Sequence, residues 1–166
     1  MDSRPSKDEW FTEIALVVSK RSSCQHTSNG AVLVDANGFV VALGYNGAPR
    51  GLHYCELDEV NGKSKTMCDK HNQCMCIHAE LNAIISAARH ATLPPDMTLY
   101  STGFPCCPCM KAVIQAGVKK IVFVEEYHDE FSHALAKEAG IELVHMSQHP
   151  KRLEGRRTYE PREKTL

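Results

Sequence analysis

The sequence predicts an α/β protein: a three-layer α/β/α arrangement around a mixed five-stranded sheet with helices on its faces. Two observations carry this. Near the N-terminus, the β-rich runs AVLV (31–34) and FVVAL (39–43) flank Asp35-Ala36-Asn37-Gly38, which reads as an antiparallel hairpin across a short Asn-Gly turn. From residue 97 onward, strand, helix, strand, helix and strand patterns alternate with short connections. That alternation implies parallel strand pairing through right-handed crossovers.

Ahead of the hairpin, residues 7–20 (KDEWFTEIALVVSK) place Trp10, Ile14, Val17 and Val18 at helical spacing, so an amphipathic opening helix is expected there. Residues 45–77 are irregular, with Gly47, Pro49, Gly51 and Gly62 and little periodicity. A structureless loop of that length is unusual in a small domain unless a function or a metal holds it. HAELNAIISAARHA (78–91) reads as a helix that stops before Pro94-Pro95, and MTLYST (97–102) as a strand. CCPCMKAVIQAG (106–117) is a helix with Gly117 at its C-terminal cap, and KIVFV (120–124) the next strand. EFSHALAKEAG (130–140) is a helix capped by Gly140, and IELV (141–144) closes the sheet.

A chain of 166 residues can bury a core without staples, and it divides into one domain over 1–146 and a polar, basic tail over 147–166. The tail holds Lys151, Arg152, Arg156, Arg157, Arg162 and Lys164 without apolar periodicity, as a solvated or subunit-docked segment does. A net charge of −1 argues against a broad nucleic-acid footprint, which needs a clear basic excess. No stretch approaches the roughly 18 apolar residues of a membrane span, and the polar start MDSRPSKDEW is not a signal peptide. The expected location is cytoplasmic, or the host cytoplasm if the source is viral. In a reducing compartment, the eight cysteines (24, 55, 68, 74, 76, 106, 107 and 109), mixed with histidine, point to metal rather than disulfides.

The informative pieces are His78-Ala79-Glu80 and Pro105-Cys106-Cys107-Pro108-Cys109. Cys106 and Cys109 are three apart, so at a helix start they share a face and can grip one tetrahedral ion, with His78 as a third ligand. The helix N-terminus favours their thiolate forms, and Pro105 and Pro108 suit a first turn, where a missing N–H costs little. Cys107 points away as a spectator. Three protein ligands leave a fourth position for water, the mark of a catalytic zinc. Glu80, two residues past His78, is better placed beside that water than on the metal, where a carboxylate can carry protons. Alone, HAE is a weak signal and CxxC could be a redox pair. Together, HxE opening one helix and PCxxC opening the next form the signature by which zinc nucleobase deaminases are known.

With these motifs the chain resembles the cytidine deaminase superfamily, and within it the deoxycytidylate (dCMP) deaminase branch, phage and bacterial type. The resemblance runs from about residue 10 to 145, through RSSCQHTSNGAVLV (21–34), GYNGAPRG (44–51), HAELNAI (78–84), STGFPCCPCMKAVIQAGVKKIV (101–122) and EEYHD (125–129). GYNGAPRG is the piece that discriminates the dCMP branch. The resemblance implies a cytidine-deaminase-like fold and a hydrolase of a cyclic amidine C–N bond. It would convert dCMP to dUMP and ammonia, supplying dUMP for thymidylate synthesis, with Glu80 protonating N3 and then the departing amine. It also implies substrate contacts from Asn46 to the sugar or phosphate, from Arg21 to the 5′-phosphate and from Tyr127 closing on the nucleotide. Homohexamers regulated by dCTP and dTTP are common in the family, and the resemblance of GYNGAPRG to the effector-binding region implies a contact from Arg50 to an effector phosphate. A structural second zinc is implied on Cys24, Cys55, His71 and Cys74, with Cys68 able to replace one of them. Ser28-Asn29-Gly30-Ala31 stands where the common pattern has SVGA, which keeps dCTP as an alternative substrate. Further alternatives are a base in RNA and a non-catalytic zinc-binding module.

Overall fold

The computed structural model describes residues 4–24, 27–52, 75–90 and 93–147. Helix α1 (Lys7–Ser19) opens on a capping box: Ser6 Oγ accepts the Glu9 amide and Glu9 Oε2 accepts the Ser6 amide. Strands β1 (Gly30–Val34) and β2 (Val40–Tyr45) form the expected hairpin. Its turn is tied by Asp35 Oδ1, which accepts the amides of Asn37 and Phe39, with Gly38 at φ 89°. After α2 (Ala79–His90) come β3 (Met97–Gly103), α3 (Cys107–Gln115), β4 (Val118–Glu125), α4 (Glu130–Glu138) and β5 (Glu142–His145).

The sheet order is β2-β1-β3-β4-β5. β1 pairs antiparallel with β2 and β3, while β3–β4 and β4–β5 are parallel. This is the mixed five-stranded sheet expected. One face packs on α1 through Phe11, Ala15, Val32, Val34, Tyr100 and Val122. The opposite face carries the larger core, where Leu33, Leu99 and Ile121 meet Ala79 and Ala83 of α2, Met110 and Val113 of α3 and Ala136 of α4. Of the tail expected over 147–166, all but Ser147 lies outside the described residues.

Of the apolar residues expected on the inner face of the opening helix, Ile14 packs against the core, but Trp10 and Val17 do not. Trp10 is 49% exposed and Val17 61%, whereas Phe11, Thr12, Ala15 and Ser19 are buried. Small side chains let the helix backbone come down onto the sheet: a Cβ on Gly30 would collide with the carbonyl oxygen of Ala15. Close approach selects Ala15 and Ser19 for the inner face over the bulkier Trp10 and Val17. A polar clamp holds the same helix. Tyr100 Oη donates to Asp8 Oδ1 at 2.9 Å, and Lys120 Nζ lies 2.8 Å from Asp8 Oδ2.

A second close approach sets α2 on β2. A Cβ on Gly44 would strike the carbonyl oxygen of Ala79 and the amide nitrogen of Ala83, so helix and strand touch backbone to backbone. Gly44→Ala is expected to destabilise the fold by about 3 kcal/mol, since neither backbone can yield without moving the other; a denaturant midpoint equal to wild type would contradict this.

Burial, with the hydrogen bond to Asp8 and the charge of Asp8, pushes the Tyr100 hydroxyl well above its ordinary value of 10.0. A group raised on folding contributes stability that is complete below its unfolded pKa and lost as pH climbs towards the folded one. Stability should therefore fall more steeply above pH 10 in wild type than in Tyr100→Phe. The variant itself should cost roughly 1 kcal/mol at neutral pH. Denaturation midpoints measured from pH 8 to 11 check both statements.

Candidate active site

The site forms at one end of the sheet, where β3 runs through Phe104 and Pro105 into α3. Cys106 is the N-cap of α3, with extended backbone (φ −66°, ψ 164°) and no capping bond from its own side chain. Its sulfur is thereby left for other work, and Cys109 follows on the same face of the first turn, fully buried. His78 precedes α2, and its carbonyl accepts the first-turn amide of Asn82 at 2.9 Å. The chain ahead of it is pinned by a two-way backbone bridge: the Gly47 amide donates to Ile77 O at 3.1 Å and the Ile77 amide to Gly47 O at 2.9 Å. Asn82 Nδ2 also donates to Tyr45 O at 2.7 Å, so the GYNG segment and the start of α2 are one unit.

These elements bring His78, Cys106 and Cys109 together. Both sulfurs lie 3.3 Å from His78 Nδ1, and the three donor atoms all fall within 4.8 Å of one another. Zinc–sulfur and zinc–nitrogen bond lengths in a tetrahedron put such N···S edges at about 3.6 Å. The donor set and its spacing fit zinc. The three groups are electrostatically coupled: the hydrogen bond between the two thiols, aided by His78, lowers Cys106 to about 4. The same bond, then burial and the charge of Glu80, push Cys109 up. A divalent cation between them would favour both thiolates and expel the remaining proton.

Glu80 lies beside this cluster, 6% exposed, and the Ser101 hydroxyl donates to its Oε1 at 3.4 Å. Burial raises its pKa, with its own backbone amide and His78 pulling the other way. Such a carboxyl can hold a proton where a solvated one would not.

The other expected residues are placed differently. Asn46 is buried, and its carboxamide is engaged within the protein: Oδ1 accepts the Asn29 amide at 2.7 Å and Nδ2 donates to Thr27 O at 3.0 Å. Arg21 and Arg50 are exposed, and Tyr127 is exposed on the connection from β4 to α4. Of the second metal set, only Cys24 lies among the described residues; Cys55, Cys68, His71 and Cys74 lie outside them. Cys24 packs with buried Cys76, which stands two positions before His78. Ser101 was missed, and its only signal was its place near the end of the strand that leads to Cys106. Cys107, expected as a spectator, is half-buried, and its amide donates to Asp129 Oδ2 at 3.0 Å.

A three-layer fold with one helix opening on HxE, the next on CxxC, and their donors converging beside a buried carboxylate defines a cytidine-deaminase-like protein. The chain belongs to the family described as the cytidine and deoxycytidylate deaminase zinc-binding region, which matches residues 5–125. It is 38% identical over 143 residues to the deoxycytidylate deaminase of Schizosaccharomyces pombe, covering 84% of this chain and 44% of that protein. It is 33% identical over 129 residues to that of Mycobacterium phage D29, covering 75% of this chain and 98% of the phage protein. The crystal structure of dCMP deaminase from the cyanophage S-TIM5, in complex with dCMP and dUMP, superposes with a TM-score of 0.71 at 31% identity, over 86% of this chain and 98% of that one. The chain spans about half the length of its yeast relatives, 44% and 46%.

Replacement of His78, Cys106 or Cys109 by alanine should each remove the zinc held at this cluster, read as metal content after dialysis. Undiminished zinc in any one variant would exclude that residue as a ligand.

Proposed function

We propose that this protein hydrolyses dCMP to dUMP and ammonia, with zinc held by His78, Cys106 and Cys109 and with Glu80 as the proton carrier. One observation carries the reading: a buried carboxylate of raised pKa adjoins a His/Cys/Cys cluster of zinc dimensions. The choice of dCMP is supported by the relatives named deoxycytidylate deaminase and by the cyanophage complex with dCMP and dUMP. Zinc, when bound, acidifies water and supplies positive charge. Glu80 takes a proton from the attacking water as its oxygen bonds to C4 of the cytosine ring, and delivers it to N3. It then takes the second proton of that oxygen and passes it to the 4-amino nitrogen, the C4–N bond breaks, and ammonia leaves. Ser101 keeps Oε1 of Glu80 oriented through this exchange.

Around that centre, Asn46 acts on the nucleotide by fixing the 27–29 segment, while exposed Arg21 and Tyr127 supply phosphate and covering contacts. Regulation by dCTP and dTTP through Arg50 belongs to the same reading. So does a homo-oligomer, favoured as a hexamer and supported by the apolar surface of edge strand β2, where Val40, Leu43 and Tyr45 are exposed. The reading also includes a second zinc on Cys24, Cys55, His71 and Cys74, with Cys68 able to replace one of them.

The test is a panel of dCMP, dCTP, CMP, deoxycytidine and tRNA, followed by ammonia release. Turnover of dCMP above the others is expected, and no turnover of it with or without dCTP would overturn the proposal. Glu80→Gln should keep its zinc and lose activity by a factor of roughly 10²–10⁴, the usual contribution of a positioned acid–base group.

A further inference from the structure

The first turn of α3 carries two of the three ligands, yet its N-cap residue cannot cap it. Cys106 makes no side-chain capping bond, and Pro108 has no amide to donate. The stabilising groups come instead from α4. Asp129, the N-cap of α4, divides its carboxylate between two helices: Oδ1 accepts the Ser132 amide of its own helix at 3.0 Å, and Oδ2 accepts the Cys107 amide of α3 at 3.0 Å. One turn on, the buried Ser132 hydroxyl donates to Pro105 O at 2.7 Å. The residues on either side of Cys106 are thus each gripped by the start of α4, one through its amide and the other through its carbonyl.

This region is firm on its other sides. The Phe104 amide donates to Glu125 O at 2.8 Å. The His133 ring of α4 stacks on Phe104 with centroids 4.0 Å apart and planes at 8°, while its Nε2 lies 2.9 Å from Glu126 Oε1. The Asp129 amide donates to Tyr127 O at 2.8 Å, so the same residue orders the turn that presents Tyr127.

We propose that Asp129 is a positioning residue of the metal centre, a capping carboxylate shared by α3 and α4 that holds Cys106 and Cys109 in ligand geometry, with Ser132 as its partner. The inference rests on zinc being held by His78, Cys106 and Cys109. Asp129 touches neither the metal nor the substrate. Its effect is on how long the sulfurs stay where the ion needs them, because a ligand free to swing is an easier one to lose. Loss of groups that orient ligands in this way weakens metal binding by roughly 10–100-fold.

The experiment follows zinc transfer from the full zinc-loaded chain to a chromophoric chelator. Asp129→Ala should release zinc at least about tenfold faster than wild type. Asp129→Asn keeps one carbonyl acceptor for two amides and should fall between them. Ser132→Ala should also accelerate release, and by less than an additive amount when combined with Asp129→Ala. Tyr100→Phe, which loosens α1 on the far face of the sheet, is the control for lost stability alone. Release from Asp129→Ala at the wild-type rate overturns the inference. So does acceleration no greater than Tyr100→Phe shows at equal loss of thermal stability. If Asp129→Ala does not fold, Asp129→Asn and Ser132→Ala decide by the same comparison. Wild-type protein that holds no zinc would overturn the zinc reading itself, a result distinct from zinc that is held but indifferent to Asp129.

Discussion

Strand β2 and helix α2 meet without side chains between them. Gly44 lies against the backbone of Ala79 and Ala83, and this contact sets the height of α2 above the sheet. His78 immediately precedes that helix and Glu80 lies in its first turn, so their reach towards α3 depends on how deeply α2 sits. The Gly47–Ile77 bridge and the bond from Asn82 to Tyr45 lock the same junction along the chain. A larger residue at 44 would lift the helix, and with it both groups that must meet the cysteines.

Against this fixed side stands the turn from β3 into α3. β3 is hydrogen-bonded to β1 and β4, so the strand delivering Cys106 has neighbours on both edges. The cluster itself is uncomfortable as a set of ordinary side chains: two thiols, an imidazole and a buried carboxyl compete for protons, with Cys106 drawn down while Cys109 and Glu80 are pushed up. A zinc ion bound there would resolve the competition between the sulfurs by taking both as thiolates. Glu80, outside the donor set, keeps the raised pKa that burial imposes and so remains able to hold and release a proton.

Further from the His78, Cys106 and Cys109 cluster, the structure is organised by shared polar groups. Asn46 ties two segments with one carboxamide, and Asp129 does so with one carboxylate. In each case a residue in a connection substitutes for structure that the neighbouring elements lack. Asn46 holds residues 27–29 ahead of β1, and Asp129 covers a helix start whose own N-cap, Cys106, makes no side-chain capping bond. A residue in a connection can therefore act by fixing a neighbouring segment.

The element pattern and the metal motif were legible in the sequence because both are local. Alternating β-rich and 3.6-periodic runs define strands and helices over four to thirteen residues, and ligand spacing within HxE and CxxC is set by a single helical turn. What required the tertiary structure were choices between residues of similar local merit. Trp10 and Val17 have the apolar character for the inner face of α1, but the close approach at Gly30 selects Ala15 and Ser19. Cys76 carries no local mark that separates it from the other cysteines before His78, and only packing sets it against Cys24. Ser101 and Asp129 become partners of Glu80 and Cys107 across 21 and 22 residues of chain. Local spacing determined which groups could hold the ion. Long-range packing decided what supports them, because hydrogen bonds between distant segments leave no periodicity to read.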